Sequence, residues 1–266
     1  MDSVTGRIRL ASKSRRLVLG ILVAGLTGGA ALAYYVCADR SVSPDADEES
    51  PQWASISKVD RANLVAVGKN AYFNLEPGYR LRYSDGKLTR TVTVRRKTKL
   101  VDGVKTRVVE EKEEQDGKLN RVSWKYLAFD ETTSALYCFG VHVQTYQDGK
   151  LVGHRGWRSG AHGALFTLAM PAQPKVGDTL MRGSAKRLYE VTDVRAKAVT
   201  PAGIFTNCLF IQAKDPGAQA QDAGEKKAAD KLFAPGIGLV KNGPLALVKI
   251  AQTVPRKMVE ADADAE

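Results

Sequence analysis

Histidine and cysteine are scarce in this chain of 266 residues, with three of each, and that scarcity limits the chemistry open to it. His142, His154 and His162, together with Cys138, are the set from which a transition-metal site would have to be assembled. A two-residue turn at Asp148-Gly149 would pair Gln147 with Lys150 and His142 with Arg155, placing His154 on the opposite face unless a bulge intervenes. No metal and no cofactor is expected. Nucleophile motifs are missing as well. There is no G-x-S-x-G elbow, and Ser159-Gly160 and Gly183-Ser184 lack the strand-turn-helix setting that an elbow needs. Cys138 and His142, four residues apart on one strand face, would stand about 13 Å apart, too far for a thiolate–imidazole pair. Gly156, Gly160 and Gly163 are not followed by the Lys-Ser/Thr pair of a phosphate-cradling loop. Carboxylates such as Glu110 and Glu113 sit among cations on what reads as a solvated strand, which lowers a carboxyl pKa when an acid catalyst needs it raised. No fixed-period repeat is present, which disfavours propellers and solenoids. Arginines and aromatics do not interleave as base-stacking surfaces require, so no nucleic-acid partner is expected. An enzyme, a hydrolase with an unfamiliar site, is the least favoured reading.

Long apolar runs are also lacking, with one exception at 17–36, LVLGILVAGLTGGAALAYYV. Arg7, Arg9, Lys13, Arg15 and Arg16 precede it, and Asp39, Asp45, Asp47, Glu48 and Glu49 follow. By the positive-inside bias the N-terminus stays in the cytoplasm and the remainder is exported. As a transmembrane helix, Leu17, Leu19, Ile21, Leu22, Val23, Leu26, Leu32 and Val36 would face lipid, with Tyr34 and Tyr35 at the outer interface; about 20 residues suffice to cross the hydrocarbon. As a signal peptide, the same run ends in Ala31-Leu32-Ala33, a small-x-small cleavage site. Arg15-Arg16 resembles a twin-arginine signal, and Cys37 would take lipid in a lipoprotein, although Tyr34-Tyr35-Val36 is bulky for a lipobox. The expected location is the inner membrane facing the periplasm or another extracytoplasmic space, with secretion if the chain is cleaved after Ala33. An uncleaved anchor is slightly favoured because the apolar run continues to Val36.

The sequence predicts four segments: 1–38 as export signal or single transmembrane helix with a basic cytoplasmic flank, 39–55 as an acidic Ser- and Pro-containing linker, 56–254 as a β domain, and 255–266 as a frayed tail. At 44% hydrophobic and 26% charged, the composition is that of a folded domain with a real core. Much of the net charge of +11 lies between Arg80 and Lys125, on strands that also carry Glu110, Glu111, Glu113 and Glu114. A basic face there would suit anionic polymer or lipid headgroups, whereas charge runs of this kind are more commonly solvated sheet surface. In an oxidising compartment Cys138 and Cys208 are the candidate disulfide pair, and buried free thiols are the alternative.

From Tyr79 the pattern turns to period two, punctuated by Asp85-Gly86, Asp102-Gly103, Asp116-Gly117 and Asp148-Gly149. Asp-Gly between alternating segments marks a hairpin, because a type I′ turn needs positive φ at both central residues. The predicted strands are 79–84, 88–99, 104–114, 119–129, 135–146 and 151–157, then 188–199, 204–213 and 239–253 with a turn at Gly243-Pro244. Residues 56–69 lack a clean period and read as a helical turn or two. The polar stretch after Lys214, DPGAQAQDAGEKKAADK, reads as a loop. Alternation places Leu88, Val92 and Val94 on one face, Val122, Trp124 and Tyr126 on one face, and Tyr137, Phe139, Val141 and Val143 on one face. The fold class expected is mainly β: a hydrophobic N-terminal helix, then an antiparallel meander forming a curved sheet or open barrel with one greasy and one charged face.

Tyr72-Phe73-Asn74-Leu75-Glu76-Pro77-Gly78, Val101-Asp102-Gly103-Val104-Lys105-Thr106-Arg107-Val108-Val109, Met170-Pro171-Ala172, Lys175-Val176-Gly177-Asp178-Thr179 and Ala234-Pro235-Gly236-Ile237-Gly238-Leu239-Val240-Lys241 occur in this order. Together they resemble a group of uncharacterised exported bacterial β-rich proteins over roughly 70–250. The last phrase is also similar to extracytoplasmic lipoprotein-carrier-like domains, which have an open curved sheet around a hydrophobic cavity. The resemblance implies fold and location and transfers no catalytic residue. Cys138 stands where the group usually has an aromatic, and the stretch before Phe233 is rich in Ala and Lys.

The aromatic set Trp124, Tyr126, Tyr137, Phe139 and Trp157 is the candidate lining of a cavity for an apolar ligand, filling of a sheet core being the competing reading. The function expected is therefore a non-enzymatic, exported and membrane-tethered β domain. It would bind a hydrophobic or cell-envelope component, or serve an envelope-structural role. The alternative is a basic surface domain for anionic polymer or headgroups. The partners expected are the membrane, through the N-terminal helix, and a hydrophobic ligand or envelope polymer.

Overall fold

The computed structural model describes residues 59–182, 187–214 and 229–252. The apolar run 17–36, Cys37, the linker 39–55, the polar stretch 215–228 and the tail 255–266 lie outside the described residues. Among the described residues no helix is long and apolar enough to cross a membrane.

The described chain is mainly β. After a single 3-10 turn at Arg61–Asn63, three two-residue strands follow: β1 Leu64–Val65, β2 Lys69–Asn70 and β3 Phe73–Asn74. A first meander comprises β4 Tyr79–Ser84, β5 Leu88–Val101, β6 Val104–Gln115, β7 Lys118–Asp130, β8 Leu136–Gln147 and β9 Lys150–Arg158. Two short strands, β10 Thr167–Met170 and β11 Thr179–Arg182, lead to a second meander of β12 Arg187–Thr200, β13 Gly203–Lys214, β14 Lys231–Ala234, β15 Gly238–Asn242 and β16 Leu245–Gln252. The nine strands expected from period two are all present. β10, β11 and β14 have only four residues each, too few to register a period, and the described part of the stretch read as a helical turn or two, from residue 59, supplies one 3-10 turn followed by the short strands β1 and β2.

All pairs are antiparallel, and the two meanders join where β16 pairs with β4, so the last described strand lies beside the first long one. The sheet curls on itself: its end strands β10 and β11 lie next to each other without pairing, and side chains from both join one continuous inner core. Curling of this kind follows from the right-handed twist accumulated over many strands. The second edge of β8 is shared, with β10 paired to Leu136–Cys138 and β9 to Gly140–Gln147.

Three of the four Asp-Gly pairs form the expected two-residue turns. Asp102, Asp116 and Asp148 have φ of 50, 49 and 50°, followed by Gly103, Gly117 and Gly149 at 76, 75 and 77°. Asp85-Gly86 departs from the pattern. Ser84 pairs with Thr89, and Asp85 Oδ1 accepts from the Lys87 and Leu88 amides in a four-residue loop.

Bulges set the phase of the strands. At Phe139-Gly140 two consecutive residues face outward, because Leu127 pairs with Cys138 while Tyr126 pairs with Gly140. Tyr137 and Phe139 therefore lie on the opposite face from Val141 and Val143, correcting the single face that strict alternation gave all four. A second irregularity at Thr145/Tyr146 pairs His142 with Gly156 and Gln144 with His154, so both histidines face outward, while Cys138 faces inward, away from His142. A third, between Val94 and Thr98, leaves carbonyls that the ladder cannot satisfy. The buried Arg107 guanidinium donates to Arg96 O at 2.6 Å, Arg95 O at 3.4 Å and Ala66 O at 2.8 Å. Burial lowers its pKa, with nearby Glu76 opposing the shift.

Two apolar clusters result. The inner one takes Leu81, Val94, Leu127, Leu136, Met170, Val191, Leu209 and Val240, among others, from both meanders. The other lies outside the wall of β6 to β8, where Tyr126, Ala128, Tyr137 and Phe139 are covered by Leu64 and Phe166. Phe166 stacks on Phe139 at 4.7 Å and meets Tyr137 edge-on. Arg61 lies over Phe166 and donates to Asp102, which also accepts from the buried Ser159 hydroxyl at 2.6 Å. Those hydrogen bonds from Arg61 and Ser159 lower the Asp102 pKa.

Candidate functional site: an interior cavity with a charged end

The inner core does not fill the curled sheet. A cavity of about 270 Å³ remains between the two meanders, with most of its wall contributed by β4 to β10, β14 and β15 and with Phe73 and Asn74 of β3 also bordering it. Its polarity is graded along its length. The loop at 85–88, the turns at 116–117, 148–149 and 243–244, and the Lys231 end of β14 all lie at one end, because β4 pairs with β16, β14 with β15, and β5 to β9 with one another in consecutive hairpins. Arg90, Glu111, Lys125, Lys231 and Asn242 line the cavity toward that end. Leu127, Leu136, Leu168, Ile237 and Phe73 line it toward the other.

The charged end is built from one register. Arg90, Glu113 and Arg121 are direct cross-strand partners on β5, β6 and β7. Glu113 Oε1 accepts from Arg90 Nε at 2.8 Å and from Arg121 at 2.6 Å. Its side chain is only 6% exposed, so two guanidinium groups hold one nearly buried carboxylate. The neighbouring Glu111 accepts a hydrogen bond from Lys125. Desolvation is the largest influence on Glu111 and pushes its pKa up. The attraction of Lys125, Arg90 and Arg121, with the Lys125 hydrogen bond, outweighs it and brings the group to about 2. Glu111 is thus a fixed anion at physiological pH. Tyr83, fully buried, donates to Leu239 O at 2.8 Å, and its pKa is raised well above the ordinary tyrosine value, first by desolvation and then by the Glu111 charge. Lys231 lies 3.4 Å from the Tyr189 ring centre.

Midway along the cavity stand Lys125, Val141 and Trp157, in register on β7, β8 and β9. Glycine seats Trp157 there. A Cβ at Gly156 would lie 2.3 Å from Val141 O, and one at Gly140 would lie 2.5 Å from Trp157 O, so β9 reaches this close to β8 only because both positions lack a side chain. The indole Nε1 is buried and has no hydrogen-bond partner among the described residues. The half-buried Cys138 thiol also lines the cavity, Cys208 is fully buried, and no disulfide joins the two, unlike the pairing considered from sequence. Burial raises the Cys208 pKa.

No family model, curated protein or solved structure matches this chain.

Of the five aromatics expected to line a cavity, the structure places only Trp157 there. Tyr126, Tyr137 and Phe139 belong to the outer cluster. Trp124 also faces outward, stacked on His142 at 5.6 Å with its Nε1 donating to Glu110. For Tyr137 and Phe139 the Phe139-Gly140 bulge is the physical reason, since it puts the bulky half of β8 outside and the Val141 half inside, while Trp124 and Tyr126 occupy the outward positions of β7. The charged residues inside were missed for a related reason. The sequence places Glu113 on a solvated strand whereas it is buried, and opposite charges in register become visible only once the irregularities on β5 and β6 are known. Among the outward charges, Arg95 meets Glu110 and Lys112 meets Glu114.

Proposed function

We propose that this chain is an exported, membrane-tethered, non-enzymatic β domain whose curled sheet acts as an open barrel holding a small hydrophobic molecule. The observation that carries the proposal is the interior cavity, closed round by residues of both meanders and apolar over much of its length. Water in such a space is poorly satisfied, and its displacement by a hydrocarbon chain is favourable in proportion to the apolar area covered. The cavity's size is near the lower bound of the roughly 300–1,000 Å³ usual for small-molecule sites, which suits a single chain better than a two-chain lipid. The charged cluster serves this role as a rigid frame, since Glu113 and Glu111 are held by cations on flanking strands and are not disposed as an acid–base pair.

Binding of the neutral fluorophore N-phenyl-1-naphthylamine to the purified full chain tests the cavity. Wild type is expected to bind it, and Ala169→Phe, which fills the cavity wall, to lose at least tenfold in affinity. Equal binding by the two would refute the proposal. The tether is tested by the mature N-terminus: Met1 or Asp2 supports an uncleaved anchor, and Tyr34 contradicts it.

A further inference from the structure

We infer that the molecule held in the cavity is a single-chain anionic amphiphile, its carboxylate or phosphate head accepting a hydrogen bond from Trp157 Nε1 beside Lys125 and its chain running to the apolar end. This inference rests on the cavity reading above and adds the chemistry of the ligand.

Three independent observations converge on it. The polar lining is one-sided, since Arg90, Lys125, Lys231, Glu111 and Asn242 lie toward one end while Leu127, Leu136 and Ile237 lie toward the other. A molecule matching that wall must itself be polar at one end. The charge at the polar end does not cancel. In the cross-strand cluster Arg90, Arg121 and Lys125 outnumber Glu111 and Glu113 by one, Lys231 adjoins Asp230, and the loop and turns bordering this end add equal numbers of each sign through Asp85 and Lys87, Asp116 and Lys118, and Asp148 and Lys150. An anion is favoured there, and a cation would meet the excess positive charge. Finally, Trp157 lines the cavity and its indole Nε1 has no hydrogen-bond partner among the described residues. Buried polar groups are almost always partnered, and an indole N–H can only donate, so the missing partner is an acceptor oxygen. Trp157 is two strands from Lys125 in the same register, so one head group can meet both.

The test uses the full chain in neutral, non-ionic detergent and four probes with the same twelve-carbon chain: dodecanoate, dodecyl phosphate, dodecanol and dodecylamine. Titration calorimetry is expected to give binding of the carboxylate and the phosphate, with the alcohol at least tenfold weaker and the ammonium weaker still. The ratio between the two anions identifies which head the site prefers. Trp157→Phe keeps the ring and removes the donor. It is expected to weaken the anions about tenfold, in line with a hydrogen bond to a charged group, and to weaken the alcohol by less, as a neutral hydrogen bond is worth less. Lys125→Met should do the same, and Lys231→Met removes a cation from the same end without orphaning Glu111, in case the first variant fails to fold. Equal affinity for dodecanol and dodecanoate, or anion binding unmoved in Trp157→Phe and Lys231→Met, would overturn the inference while leaving the cavity reading standing. No binding of any probe would overturn both.

Discussion

Lys125 on β7 donates a hydrogen bond diagonally across the inner face to Glu111 on β6, so a complete ion pair lies on the cavity wall. Burying charge in this way is tolerated because each carboxylate gains more than one cationic neighbour.

The pH dependence of folding follows from Glu111. Its folded pKa, about 2, lies below the ordinary 4.5. Its contribution to stability is therefore complete above pH 4.5 and is lost as pH falls from 4.5 through 2. The shift corresponds to on the order of 3 kcal/mol at most. Urea denaturation between pH 7 and pH 2 should show stability falling across that window. In Glu111→Gln the fall should be shallower, from a lower starting stability because Lys125 is left without its anion.

Glu113 should matter more to stability than any exposed acid on the same strand. Glu113→Gln strands two guanidinium groups, and removing one partner of a buried pair costs about 3–5 kcal/mol. Glu114→Gln, whose partner Lys112 is exposed, should change stability by less than about 1 kcal/mol. Chemical denaturation of the two variants side by side checks the contrast, which equal effects would remove.

The fold itself was largely readable from Asp-Gly spacing, because a two-residue turn fixes where each strand begins and ends. Three of the four pairs fulfilled that role. What could not be read was phase. One extra residue at Phe139-Gly140 moves Tyr137 and Phe139 from the cavity to the outer cluster, and the Thr145/Tyr146 irregularity brings His142 and His154 to one face. A period-two rule inverts beyond each bulge, and neither Phe139 nor Tyr146 announces one. For the same reason Arg90, Glu113 and Arg121 looked like scattered surface charges, although they are one cross-strand row.

Gly156 and Gly153 offer a direct check on the packing of β9. Gly156→Ala would bring a Cβ to 2.3 Å from Val141 O, whereas Gly153→Ala meets nothing within 4 Å. Overpacking of this kind costs about 1–3 kcal/mol. Gly156→Ala should lower Tm by several degrees and displace Trp157, seen as a shifted emission maximum, while Gly153→Ala should leave both near wild type.

Thiol reactivity reports on the cavity. With Cys37→Ser as background, Ellman's reagent should modify the half-buried Cys138 first and Cys208 only on unfolding, since Cys208 is fully buried with a raised pKa. Saturating dodecanoate should slow labelling of Cys138, because the thiol lines the cavity. Faster labelling of Cys208, or no protection, would contradict this placement.

A crystal structure of the full chain with 12-bromododecanoate locates the ligand without inference from affinity. Anomalous bromine density between Leu127, Leu136 and Ile237, with the carboxylate beside Trp157 Nε1, is the predicted result. Bromine density on the outer face at Tyr126 and Phe139, or an interior without any, would contradict the assignment of the cavity as the binding site.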